Sequence, residues 1–324
     1  MKILVTGGAG FIGSNFIHYW LQTHPGDQII NFDLLTYAGN IKNLEDISSN
    51  PNYTFVKGDI ADAEQVNSLM PGVDLIVNFA AETHVDRSIK DSADFIRTNV
   101  EGTRVLLEAA KNNGGIRFHH ISTDEVFGSL GKEDEPFNEL TPYDPRSPYS
   151  AAKASSDHLV RAYYHTYGLS VTISNCSNNY GPYQYTEKMI PLFITNLLQG
   201  KKIPLYGTGE NVRDWIHVDD HNRGVAMIIE QGKIGETYCL GGGNEKNNLS
   251  LTKFILGLME QSEDMIEYIA DRPGHDLRYA INFSKAKREL GWQPQVDFIA
   301  GLRATVEWYK NNQAWWQNID EINK

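Results

Sequence analysis

Residues 2–16 read KILVTGGAGFIGSNF, and this stretch decides the fold. A short apolar run stops at Thr6 and breaks into Gly7, Gly8, Gly10 and Gly13, and a segment of helical spacing, FIGSNFIHYWLQT, follows at once. Glycines at such a turn permit a tight bend and a close approach of backbone to a pyrophosphate, with the N-terminus of the next helix facing the phosphates. The spacing satisfies G-x-G-x-x-G from Gly8 and G-x-x-G-x-x-G from Gly7. Alone, that pattern is weak evidence. Here it follows the first strand and opens a helix, and Asp33 ends a second apolar run, QIINFD, twenty residues after Gly13. A carboxylate there can accept from a ribose 2′-hydroxyl and would repel a 2′-phosphate, which favours NAD over NADP. The alternative is a glycine turn that serves only close packing.

Working outward, strand and helix signals alternate. YTFVKGD (53–59), DLIVNFAA (74–81), RFHHIST (117–123) and VTISNCSN (171–178) read as further strands. DAEQVNSLM (62–70), the long SADFIRTNVEGTRVLLEAAKNN (92–113) and a segment starting near Tyr149 read as helices between them. This predicts an α/β protein with a Rossmann-type doubly wound parallel sheet. After about residue 180 the pattern loosens into prolines, glycines and short strands such as PLYG and VRDWIHV. The division expected is an NAD-binding domain over 1–180, carrying the catalytic residues, and a smaller C-terminal substrate-binding lobe over 181–324, some of whose segments return to the first domain. Gly58-Asp59-Ile60 ends the third strand, a natural place for an adenine contact or for a plain strand-end turn.

Composition narrows the function. The 324 residues are 41% hydrophobic and 22% charged, with a formal net charge of -12. Such an acidic balance argues against a nucleic-acid surface, but not against a small anionic ligand, which needs only a local basic patch. Cys176 and Cys239 each lie in an apolar run, which reads as buried thiols in a reducing compartment. No metal-ligand spacing appears: His119 and His120 fall on one strand, where successive rings point opposite ways. No secretory pattern and no membrane-length apolar stretch is evident, so a cytoplasmic location is expected, with no nucleic-acid or membrane partner.

Two motifs carry chemistry. YSAAK places Tyr149 and Lys153 at i and i+4, on one face of a helix. A tyrosine with its ordinary pKa of about 10 is a poor base at neutral pH. A nearby ammonium and the positive nicotinamide ring of NAD would favour the phenolate, which could take the proton of a sugar hydroxyl. Thr123 could bond the same hydroxyl. The second motif is ISTDEVFG (121–128), in which Asp124 and Glu125 adjoin at the end of an apolar strand. Adjacent acids are ordinary on a solvated loop; here they sit where a buried strand stops, and the pair either carries chemistry or is a plain polar strand end.

TGGAGFIG, ISTDEVFG and YSAAK together resemble the extended short-chain dehydrogenase/reductases that act on nucleotide sugars, and most closely the dTDP-glucose 4,6-dehydratases. The likeness continues through TYAGN (36–40), AAETHVDRSI (80–89), NCSNNYGPYQ (175–184), EKMIPL (187–192), RDWIHVDDH (213–221) and DRPGHDLRYA (271–280). Phe127, Thr83 and Leu34 depart from the family's usual tyrosine, serine and lysine, and none removes a group the mechanism requires. The resemblance implies a lyase that turns dTDP-glucose into dTDP-4-keto-6-deoxyglucose with tightly bound NAD, in deoxysugar (rhamnose-type) biosynthesis. Tyr149 would take the O4 proton, with Lys153 and Thr123 assisting. Glu125 would be the base at C5 and Asp124 the acid at O6, so Asp124 would need a raised pKa. A 4-epimerase needs no such pair, and a nucleotide-sugar decarboxylase typically lacks the Asp. A more remote alternative is a non-catalytic NAD sensor, against which the intact catalytic set argues.

The resemblance also implies the binding residues. To Gly7, Gly10, Gly13 and Asp33 on the cofactor side it adds Phe11, Ile12, Asp59, Ile60, Ala80, Ala81, Thr98 and Asn179, with Tyr149 and Lys153. On the substrate side, Arg213 and Arg272 can match diphosphate oxygens in bidentate fashion. Thr83, Asn178, Glu187, Lys188, Asn248, His275 and Tyr279 join them by resemblance, and Pro204 and Tyr206 would meet the base. Ala152, Ser156, Leu159, Val160, Tyr163 and Tyr167 form an apolar stripe, of the kind that is more often core than interface. The family pairs this helix and the one near 94–112 with their mates, which implies a homodimer.

Overall fold

The computed structural model describes residues 1–271 and 274–317. Seven short apolar strands build one parallel sheet: β1 (Lys2–Thr6), β2 (Gln28–Asp33), β3 (Tyr53–Lys57), β4 (Leu75–Asn78), β5 (Arg117–Thr123), β6 (Val171–Cys176) and a seventh, Thr237–Leu240. Their spatial order is β3-β2-β1-β4-β5-β6 with Thr237–Leu240 at the far edge, and every pairing is parallel. β4 and β6 are buried along their whole length, so both faces of the sheet must be covered. The chain starts in the middle at β1, moves out through β2 and β3, then crosses back to β4. Connections therefore leave the ends of β1 and β4 in opposite directions, and a crevice opens between them.

The turn after β1 accepts only glycine at two places. Gly7 has φ +67°, and a Cβ there would sit 2.5 Å from the Ala80 amide nitrogen; one on Gly13 would sit 2.4 Å from the Gly7 carbonyl oxygen. The first helix, Phe11–Thr23, begins at Gly10 with no side-chain cap, so its first amides point into the crevice.

The helix Pro148–Tyr167 starts with a capping box between Ser147 and Ser150, has proline in its first turn, and ends at Gly168 in the left-handed conformation. Ala152, Ser156, Val160 and Tyr163 of its stripe are buried in the protein's own interior, while Tyr167 is exposed, so most of the stripe is core. The helix expected across 92–113 is interrupted: Ala93–Phe95 leads into a π-helical turn, Ile96–Gly102, before Thr103–Asn112. The wider turn lets the Asn99 amide bond both the N–H and the carbonyl of Glu82 (2.9 and 3.0 Å), tying the loop after β4 to this helix.

The later half divides between two cores. Val225, Ile228, Tyr238, Leu240 and Trp292 pack with Ile3, Val5 and Phe16 on one face of the main sheet. Phe193, Leu205, Trp215, Ile255, Leu302 and Tyr309 form a separate core. Two small sheets serve that lobe: Asn178–Tyr180, Val212–His217 and Glu245–Asn247 in one, Ile203–Tyr206 and Ile266–Ile269 in the other. No described helix is long and apolar enough to cross a membrane. Both cysteines are buried and free.

Candidate active site

One cleft runs from the glycine turn to the ends of β5 and β6, and the residues expected at the cofactor and in catalysis line it. Asp33 sits at one end, its carboxylate accepting from the amides of Ala9 (2.9 Å) and Leu35 (2.8 Å). Asp59 is braced by Arg97 at 2.6 Å. Ile60 presses on Gly102, where a Cβ would come within 2.5 Å of its side chain. The uncapped helix start, the glycine cradle and the buried Oδ1 of Asn179, without a hydrogen-bond partner among the described residues, fit a dinucleotide along this wall.

The catalytic floor lies where β5 stops. Thr123 caps a short 3-10 turn, Asp124–Phe127, by accepting from the Glu125 amide at 3.2 Å. That turn swings Asp124 inward, 2% exposed, and leaves Glu125 half-buried in the cleft wall. Burial, then the charge of Glu125, then that of Asp214 push Asp124 well above the usual carboxylate range, so it holds its proton. Phe127 packs between Phe137 and Tyr143 beneath the turn, a place with no need of a tyrosine hydroxyl. Tyr149 faces the pair. Its hydroxyl is pushed well above its ordinary value by burial, then by Glu125, Cys176 and Asp124. Lys153 spends its ammonium on the Ile121 carbonyl at 2.7 Å, and burial draws it down to about 8. The help Lys153 was expected to give Tyr149 is therefore outweighed in the protein alone, which keeps the phenol protonated.

The substrate residues separate into two groups. Thr83, Asn178, Glu187 and Lys188 line the cleft. Pro204, Tyr206, Arg213, Asn248, His275 and Tyr279 lie outside its walls, and Arg272 falls outside the described residues. Arg213 lies over the Tyr279 ring at 4.2 Å and donates to the Asp276 carbonyl at 3.1 Å. Tyr206 and His275 meet edge to face at 6.1 Å. This second cluster still touches the floor electrostatically: Arg213 pulls Asp124 down, and Glu125 pushes Tyr279 up.

Sequence reasoning found Thr83, Glu187 and Lys188 at the edge of the cleft but missed Tyr37, Arg87 and Tyr185, which pack around them. Arg87 bonds Glu187 at 2.9 Å and lies 3.8 Å over the Tyr37 ring, and Tyr37 meets Tyr185 edge to face at 5.6 Å. Lys188 donates to the Thr83 carbonyl at 3.0 Å. Burial raises Glu82 and lowers His84 in the same cluster. Arg87 stands on a short helix, Val85–Lys90, and the others on loops without periodicity; of the quoted stretches, TYAGN, AAETHVDRSI and EKMIPL reach this cluster.

Comparison with known proteins agrees with this geometry. The GDP-mannose 4,6 dehydratase family model matches residues 4–305. A dTDP-glucose 4,6-dehydratase from Mycobacterium tuberculosis is 50% identical over 323 residues, 99% of this chain and 97% of that one. One from Neisseria meningitidis serogroup B is 48% identical, covering 98% and 96%. The solved dTDP-glucose 4,6-dehydratase of Streptomyces venezuelae, with NAD bound, superposes with a TM-score of 0.96 at 50% identity, covering 98% of this chain and 100% of that one. A UDP-glucose 4-epimerase from Thermotoga maritima superposes at 0.89 but is only 30% identical, covering 97% and 100%.

Proposed function

We infer the reaction from one premise: the chain belongs to the GDP-mannose 4,6 dehydratase family and, within it, groups with the dTDP-glucose 4,6-dehydratases. It is an NAD-dependent hydro-lyase that turns dTDP-glucose into dTDP-4-keto-6-deoxyglucose and water, a step of deoxysugar biosynthesis. NAD, when bound, supplies the reversible redox step, taking up hydrogen from C4 and giving it back at C6.

The chain's own residues then have separate tasks. Gly7, Gly10 and Gly13 would carry the pyrophosphate and Asp33 the ribose. Tyr149 takes the O4 proton, with Thr123 bonding the same oxygen and Lys153 supplying positive charge beneath. The resulting 4-ketone acidifies the C5 hydrogen, which Glu125 removes while Asp124 protonates the leaving O6 and water departs; Glu125 then gives a proton back to C5 as C6 is reduced. One observation carries this division of labour: of the two acids lining the cleft, Asp124 is buried and pushed well above the usual carboxylate range by burial and the charge of Glu125, whereas Glu125 is only half-buried. An epimerase has no use for such a pair. The rest are weaker parts of the same proposal. Arg213 and Arg272 would hold the diphosphate, and Pro204 and Tyr206 the base. Residues 1–180 would form the cofactor domain and 181–324 mainly the substrate lobe. The protein would be a cytoplasmic homodimer, paired through helices 93–112 and 148–167; Ala151, Ser155 and Ala162 on the second and Ile96 on the first are exposed, which supports that pairing.

Turnover of dTDP-glucose in deuterated water tests the pair. Deuterium entering C5 of a 4-keto-6-deoxy product in the wild type, and lost with Glu125→Gln, is the expected result. Equal labelling by the Glu125→Gln variant would remove Glu125 from the role of base.

A further inference from the structure

Beneath the floor lies a buried polar string that none of these tasks uses. Thr6 donates its hydroxyl to Asn78 Oδ1 (2.6 Å), which turns the Asn78 amide nitrogen toward His120 Nδ1 (3.2 Å). Nδ1 then accepts, so the proton of this ring sits on Nε2. Burial, followed by the charge of Lys153 and then His119, holds His120 well below its usual pKa, and the ring is neutral. Its Nε2–H faces Ser156 Oγ at 3.2 Å and Asp157 Oδ1 at 3.4 Å, and cannot accept from Lys153 Nζ, 3.3 Å away. Asp157 Oδ2 accepts from Ser122 (2.8 Å) and Tyr143 (2.7 Å), with Asn175 Nδ2 at 3.4 Å. Tyr143 in turn accepts from Arg161 at 2.9 Å, so its own proton goes to Asp157. Every group at Oδ2 donates, the setting of an ionised carboxylate, while Oδ1 makes no hydrogen bond among the described residues and lies 3.4 Å from His120 Nε2.

We propose that Asp157 is the fixed counter-charge of Lys153: a buried carboxylate one helical turn on that keeps the ammonium protonated in the closed interior, and hence a positioning residue for the reaction. The inference rests on the functional reading above, in which Lys153 acts as a cation beside Tyr149. Both side chains are almost wholly inaccessible, 4% for Lys153 and 0% for Asp157; they stand beyond ion-pair distance with His120 Nε2 close to both, 3.3 Å from Nζ and 3.4 Å from Asp157 Oδ1, and an uncompensated buried charge is strongly unfavourable. Among the described residues the groups packed against the pair offer no other carboxylate: His120 from β5, Cys176 from β6, Tyr143 from the preceding loop, and Tyr149 and Arg161 from the helix itself. Asp124, the nearest buried acid on the floor, keeps its proton. Burial lowers Lys153, and Asp157 leads the groups that hold it up, with Cys176 second. Burial raises Asp157, and Lys153 leads those that pull it back.

The test uses the NAD-loaded protein with lysine labelled at ¹³Cε, titrated by NMR, alongside the pH profile of dTDP-glucose turnover. In Asp157→Asn the Lys153 midpoint and the basic limb of the profile should move down together by about 1 pH unit or more, with NAD content unchanged. Tyr143→Phe, which removes a hydrogen bond but no charge, should leave both in place. A fall in rate or Tm for Asp157→Asn with neither midpoint nor limb displaced would make the residue structural and overturn the proposal. Should Asp157→Asn fail to fold, the ¹³Cγ signal of Asp157 in the wild type decides: a carboxylate at neutral pH supports the assignment and a carboxylic acid overturns it. The lysine titration needs no turnover, so a wild type inert toward dTDP-glucose would sink the functional reading and leave the Asp157–Lys153 coupling still measurable.

Discussion

At the floor of the cleft, Asp124, Tyr149 and Lys153 stand on a strand end and a capped helix, each no more than 7% exposed, whereas at the mouth Arg87 stands on a short helix between loops with its side chain 47% exposed. The floor derives its chemistry from desolvation. Each of its titratable groups is shifted first by burial and then by a named neighbour. The mouth closes through a half-solvated ion pair, one cation–π contact and edge-to-face rings, none of which is worth more than about 1 kcal/mol. Groups that do chemistry are thus placed where burial is deepest, and the contacts at the cleft's edge are half-exposed and individually weak.

The largest effects should come from the floor. Asp124→Asn and Glu125→Gln should each lower kcat by about a hundred- to ten-thousand-fold in steady-state assays, with NAD still bound. Retained activity in either would erase the distinction. The sign of the pH effect follows from the raised pKa of Asp124: its proton is present below that pKa and lost as pH rises through it, so kcat should fall on the alkaline side. Tyr149→Phe should slow the first oxidation by a similar factor, read as reduced cofactor formed in a single turnover. Next comes the glycine wall. Gly13→Ala would force a methyl group to 2.4 Å from the Gly7 carbonyl, and should yield protein that retains little NAD on purification. The mouth should give the smallest effect. Arg87→Ala should raise KM by no more than about five-fold and leave kcat alone, because an exposed pair contributes about 1 kcal/mol at most. A kcat loss as large as that of Glu125→Gln would put the mouth in the chemistry.

A separate prediction concerns stability. Burial lowers His119 and His221 to about 3. Between the ordinary histidine value and that pKa, the unfolded chain binds protons that the folded one does not. Stability should therefore fall as pH drops from about 6.5, by about 1.4 kcal/mol per unit for each ring. Both ring nitrogens of His221 lack a hydrogen-bond partner among the described residues, so His221→Leu should flatten that slope in chemical denaturation at pH 5.

What was legible in the sequence tracks the same contrast. The glycine turn, the succession of strands β1 to β6 along the chain and the positions of Asp124 and Glu125 at the end of β5 and of Tyr149 and Lys153 on one helix were readable, because close packing and buried strands impose local patterns. The closure formed by Tyr37, Arg87 and Tyr185 was not, since half-exposed loops carry no period. The π-helical turn at 96–102 was hidden by an ordinary helical composition, its cause being a bond from Asn99 to a distant loop. Asp157 was missed for another reason. It lies on the buried side of its helix beside Ser156, and the donors that fix its charge, Ser122 and Tyr143, come from 35 and 14 residues away. Arg213 and Tyr279 cohere only because Val212–His217 and the segment around 276–281 are brought side by side.

The central claim is an oxidation, elimination and reduction within one closed site, and dTDP-glucose deuterated at C4 tests it most directly. Incubated with the purified protein and no added reductant, it should give a 4-keto product carrying the deuterium at C6, with no NADH accumulating. A product with deuterium washed out, or an epimer that keeps it at C4, would contradict the account.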